Sequence, residues 1–78
     1  MKTMTCEQLG GACSQTFTAE TFDEIAAMSK QHGLDMYHAG DKDHLQAIRD
    51  MQASMSTLDE MQNWMKAKRQ EFEDMPED

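Results

Sequence analysis

The chain has 78 residues, enough for one small domain and no more. At that length only about 60% of the unfolded surface is buried on folding, so such domains lean on metals, disulfides or a partner chain. Fifteen acidic residues against seven basic give a formal charge of −8, which phosphate backbones and anionic membranes repel. Nucleic acid and membrane surfaces are therefore excluded as expected partners.

No stretch approaches the roughly 20 apolar residues of a membrane span, and Met1 to Thr5 holds no apolar run of the signal-peptide kind. The reading is a cytoplasmic protein, in a compartment where thiols stay reduced. Aromatic residues make up only 6% of the chain, whereas methionine occurs nine times. A soft, methionine-filled core is expected.

Residues 2 to 6 alternate polar and apolar, a strand pattern. Gly10-Gly11 breaks the chain, and residues 12 to 18 carry Phe17 with two threonines. Together they predict a β-hairpin with a loop longer than the two-residue type. A lone hairpin is marginal in water, so it needs a helix against it.

Thr21, followed three residues later by Glu24, is a capping box that opens the first helix. At about 100° per residue, Phe22, Ile25, Ala26, Ser29, Gly33 and Met36 fall on one stripe, with His32 on its edge. Gly40 is the expected stop, where a left-handed residue is needed. A second helix is read from Asp41, as N-cap, to Met55, with Leu45, Ile48, Met51, Gln52 and Met55 on one face. Thr57 with Glu60 opens a third, running to about Met75, with Leu58, Met61, Trp64, Met65 and Phe72 as its apolar face. The short connection between the second and third predicts an antiparallel or kinked pair.

The expected architecture is α+β: an N-terminal β-hairpin packed on a helix, then a two-helix, Met-rich hairpin. Residues 1–78 form a single domain, with 1–40 as hairpin plus helix and 41–78 as helical hairpin.

Chemistry concentrates in Cys6 and Cys13, the only cysteines, with six residues between them. In a reducing compartment, spaced cysteines read as metal-binding or redox-active before they read as a structural bridge. A hairpin lying on the helix that carries His32 can bring two thiols and an imidazole together. Zinc takes four Cys and His ligands in tetrahedral geometry, so a fourth group is needed. His38 is the nearest histidine in sequence. On a continuous helix, however, it stands about 120° round the axis and about 9 Å along it from His32. His44 lies beyond Gly40 and would require the second helix to fold back.

Cys6, Cys13, Phe17, the run Ala-Glu-Thr-Phe-Asp-Glu-Ile at 19 to 25, and His32-Gly33 keep a mutual register. It resembles a family of small bacterial and archaeal proteins catalogued as domain of unknown function 1059, described as predicted small metal-binding proteins. The resemblance spans residues 1–38 and implies ligands at Cys6, Cys13 and His32. The family commonly places a second histidine five residues after the first. Here that position is Tyr37, a poor zinc ligand, with His38 one step further on.

Other readings stand beside the metal. Cysteines are among the most buried residues as plain small hydrophobes, and the pair could also form a reversible disulfide. Met51 with Met55, and Met61 with Met65, have the one-turn spacing that copper(I) thioether sites use, but core-facing helix positions have it too. Lys66, Lys68 and Arg69 make a solvated cluster near a helix end. Asp41 to His44 lacks the glycine and spaced carboxylates of a calcium loop. No orienting third group or oxyanion loop accompanies a Cys-His pair, so no enzyme is expected.

The sequence thus points to binding of a thiophilic ion such as zinc through Cys6, Cys13, His32 and His38. The alternative is a metal-free interaction or adaptor module, or a homodimer, that uses a Met-rich helical face.

Overall fold

The computed structural model describes residues 1–78 as α+β. Strand β1 (Lys2–Thr5) pairs antiparallel with β2 (Thr16–Ala19), and three helices follow: α1 (Phe22–Ala39), α2 (Lys42–Ser54) and α3 (Leu58–Asp74). The register sets Lys2 opposite Ala19 and Met4 opposite Phe17. Because successive side chains alternate faces, Lys2, Met4, Phe17 and Ala19 all lie on the buried side of the ribbon.

The second strand begins at Thr16, later than the residue-12 start expected from its threonines. The ladder closes at Thr5 opposite Thr16, with one further bond from the Cys6 amide to the Gln15 carbonyl at 2.7 Å. Residues 6–15 therefore form a loop that folds on itself, entered through a 3-10 turn at Glu7–Leu9. Gly10 leaves that turn at φ +90°, a conformation that L side chains avoid. Both cysteines sit on this loop rather than on strands.

Both capping boxes form. The Thr21 hydroxyl accepts from the Glu24 amide at 3.2 Å and donates to its carboxylate, and Thr57 with Glu60 repeats the arrangement. Gly40 ends α1 in the left-handed conformation, φ +74°. Only Gly40 and Asp41 separate α1 from α2, so α2 turns back against α1. The stripe expected on α1 is the inward one: Phe22 and Ile25 are buried, and Ala26, Ser29, Gly33 and Met36 are half-buried.

The core is built from Met4, Cys6, Leu9, Phe17, Ala19, Phe22, Ile25 and Phe72. Of the nine methionines only Met4 is buried, which corrects the expectation of a methionine-filled centre. Phenylalanine supplies it instead, with Phe22 and Phe72 meeting edge to face at 6.0 Å.

The C-terminal end of α3 is fastened to β1. Buried Lys2 donates its Nζ to the carbonyls of Phe72 (2.9 Å) and Glu73 (3.1 Å), a cation where the helix dipole is negative. Arg69 adds an ion pair to Asp23 at the start of α1. The other end of α3 is different. Leu58 is 74% exposed and Met61 50%, because α2 and α3 do not pack along their length. A cavity of about 450 Å³ lies between α1, α2, α3 and the loop. No helix is long and apolar enough to cross a membrane.

Candidate metal centre

Four side chains from three parts of the chain converge at one end of the core. Cys6 and Cys13 come from the loop, His32 from α1 and His44 from α2. One ligand atom from each lies within 4.8 Å of every other. Within the cluster, Cys6 Sγ is 3.6 Å from His44 Nε2, and Cys13 Sγ is 3.3 Å from His32 Nε2.

Tetrahedral zinc geometry is a direct comparison. Bonds of about 2.3 Å to sulfur and about 2.0–2.1 Å to nitrogen put neighbouring ligand atoms about 3.4–3.8 Å apart. The two sulfur–nitrogen distances already fall close to that range. The widest pair need close by only about 1 Å, a rotamer-scale adjustment.

Each ligand is placed by local structure. Cys6 continues the inward alternation of β1 and starts the 3-10 turn, and its carbonyl accepts from the amides of Leu9 (3.1 Å) and Gly11 (2.8 Å). Gly11 is tight against it: a Cβ there would stand 2.1 Å from Cys6 Sγ. The glycine thus lets the loop backbone pass the sulfur. His32 rests edge-on against Phe17 of β2, with ring centroids 5.6 Å apart. Its ring meets that of His44 edge to face, with centroids 5.2 Å apart.

His44 is the most constrained. It is 5% exposed, and its Nδ1 lies 2.6 Å from Asp41 Oδ2. The same oxygen accepts from the His44 amide at 3.0 Å, capping α2. One carboxylate therefore starts the helix and fixes the ring three residues on. With the Nδ1 proton donated to Asp41, the Nε2 lone pair is directed at the sulfurs, the arrangement common around metal-bound histidines.

The electrostatics agree. The Asp41 hydrogen bond raises the His44 pKa above its ordinary 6.5, and the His44 ring in turn holds Asp41 below the usual carboxylate value. Burial pushes the Cys6 thiol up, while the Gln15 backbone N–H beside Cys13 draws that thiol down. Cys13 is thus the readier thiolate, and Cys6 ionises more easily once a cation offsets its burial. Both cysteines are free.

Of the residues expected from sequence, Cys6, Cys13 and His32 come together and His38 does not. His38 is exposed near the end of α1, its ring against Tyr37 at 5.8 Å. It lies off the inward stripe, as its helical offset from His32 requires. The fourth place is taken by His44, whose position requires α2 to fold back. The left-handed turn at Gly40 makes α2 do so.

The donor set, two thiolates and two imidazoles, suits zinc and other thiophilic ions better than calcium or magnesium. No family model, curated protein or solved structure matches the chain.

Proposed function

We propose that the protein binds one thiophilic divalent ion, zinc foremost, through Cys6, Cys13, His32 and His44. The observation that carries this reading is the convergence of four ligand atoms within 4.8 Å. The carboxylate of Asp41 behind His44 supports it, because hydrophobic packing alone has no need for that orientation.

Four protein ligands fill a tetrahedral sphere and leave no position for substrate, so the ion is structural or cargo rather than catalytic. It would cross-link the loop, α1 and α2, compensating for a core of few buried residues. Thiolate ligands require a reducing compartment, in keeping with a cytoplasmic setting. The register shared with the domain of unknown function 1059 family supports a distant relationship, with His44 in the role of the family's second histidine.

Native mass spectrometry of protein purified without chelator tests the reading. One ion per chain is expected, lost when Cys13→Ser is introduced. Metal-free protein that takes up no added zinc would refute it. A second reading, a metal-free interaction module, draws on the exposure of Leu58, Met61 and Met65, and the same spectrum reports whether copies associate.

A further inference from the structure

The cavity between the helices opens onto the metal centre, three of whose ligands, Cys6, His32 and His44, lie in its wall, but most of its lining is apolar. Its volume of about 450 Å³ is within the roughly 300–1,000 Å³ of small-molecule sites. Its walls are largely apolar, with Leu9, Phe22, Ile48, Met51, Trp64 and Met65 among them. Being partly open to solvent, it leaves Ile48, Met51 and Trp64 only half-buried and Met65 40% exposed.

One cation lines it. Lys30 of α1 is exposed and makes no ion pair, although acidic residues outnumber basic ones about two to one in this chain. Lys42, Arg49 and Lys66 are also unpaired, but Lys30 is the one lysine or arginine in the cavity lining. A free ammonium beside an apolar chamber is the layout that recognises an amphiphile with an anionic head.

We propose that this cavity binds a small amphiphilic carboxylate, with its apolar body between α2, α3 and Phe22 and its head group at Lys30. A cavity of small-molecule size with one lysine in its wall suits a medium-chain fatty carboxylate rather than a protein helix. The site shares wall atoms of Cys6, His32 and His44 with the metal centre, but the proposal does not rest on that function, because the apolar lining and Lys30 are present whether or not an ion is held.

Trp64 is the only tryptophan and lines the cavity, so its fluorescence reports occupancy directly. Protein as purified is titrated with dodecanoate below its micellar range, and with dodecyltrimethylammonium as a head group of opposite sign. A saturable, one-to-one blue shift is expected with dodecanoate, at lower concentration than with the cation. That order is informative because a chain of charge −8 attracts the cation non-specifically.

Lys30→Gln is expected to weaken dodecanoate by about three- to fivefold, the scale of an exposed ion pair, without weakening the cation. Ala47→Phe and, on a more exposed wall position, Ala27→Phe fill the chamber and are expected to abolish the shift, with circular dichroism and zinc content unchanged. An absent or non-saturable response would overturn the proposal, as would tighter binding of the cation. Wild-type affinity in a folded filling variant would do the same. A dimer whose Trp64 ignores dodecanoate would assign the cavity to a second copy instead.

Discussion

Asp41 provides the sharpest separation of a structural role from a metal-directed one, because a single carboxylate oxygen serves both. Its Oδ2 accepts from the His44 amide and holds His44 Nδ1. Asp41→Asn keeps a good helix cap, since asparagine and aspartate cap about equally well. It removes the negative charge that makes Nε2 a strong donor. Loss of such a partner typically lowers metal affinity by about 10- to 100-fold. Asp41 is itself partly solvated, which places the expected loss near tenfold, or about 1.4 kcal/mol. Asp41→Ala loses the cap as well, adding about 1 kcal/mol of destabilisation in the metal-free protein. Competition against a chromophoric zinc chelator measures the first quantity, and urea unfolding of chelator-treated protein the second. Should Asp41→Asn bind zinc as tightly as the wild type, the carboxylate would be a helix cap and nothing more.

Three further outcomes follow from the same geometry. His44→Ala should abolish tight zinc binding while His38→Ala leaves it intact, both read by the same competition; equal effects would return His38 to the site. Gly11→Ala sets a Cβ against Cys6 Sγ, so it should displace the sulfur and weaken zinc at least about tenfold, the scale of a misplaced ligand shell. The pH dependence of stability should reverse with metal. In the metal-free protein the raised His44 pKa means that its charged pairing is complete below the ordinary value of 6.5 and fades as pH rises through the raised one. The lowered Asp41 value means that its share is present above 3.8 and fades as pH falls through the depressed one. Metal-free protein should therefore gain most from this pair between 3.8 and 6.5. Zinc-loaded protein, whose ligands must be deprotonated, should gain stability as pH rises through and above that window. Thermal melts at about pH 5.5 and about pH 8 distinguish the two slopes.

Local chemistry made much of the fold legible. Thr21 with Glu24, Thr57 with Glu60, Asp41 as a cap and Gly40 as a stop are signals confined to one helical turn, and each is realised. The hairpin was legible as a hairpin but not in its bounds. Threonines at 16 and 18 pair, whereas Ala12 to Gln15 are drawn into the loop that positions Cys13. The apolar face of α3 was less informative. Phe72 is buried, but Leu58 and Met61 are not, because periodicity defines a face without supplying a partner for it.

The site divides the same way. Two cysteines and His32 could be read from spacing: Cys6 continues the alternation of β1 and His32 borders the α1 stripe, while Cys13 is brought in by the loop's return to β2. His44 could not, because its place depends on the direction in which α2 leaves Gly40. A local signal was nevertheless present. In Asp41-Lys42-Asp43-His44 the cap carboxylate and the ring three residues later fall on one turn, so the aspartate can hold Nδ1 and free Nε2. His38 has Asp35 at the same spacing, but Asp35 lies inside α1 rather than at a cap, and its carboxylate accepts from Gln31 at 2.9 Å instead.

Zinc K-edge X-ray absorption on stoichiometrically loaded protein examines the ligand set most directly. Two sulfurs at about 2.3 Å and two imidazole nitrogens at about 2.0–2.1 Å are expected, with one of the nitrogens lost in His44→Ala. A shell of oxygen and nitrogen alone, or an unaltered shell in the His44 variant, would contradict the proposed centre.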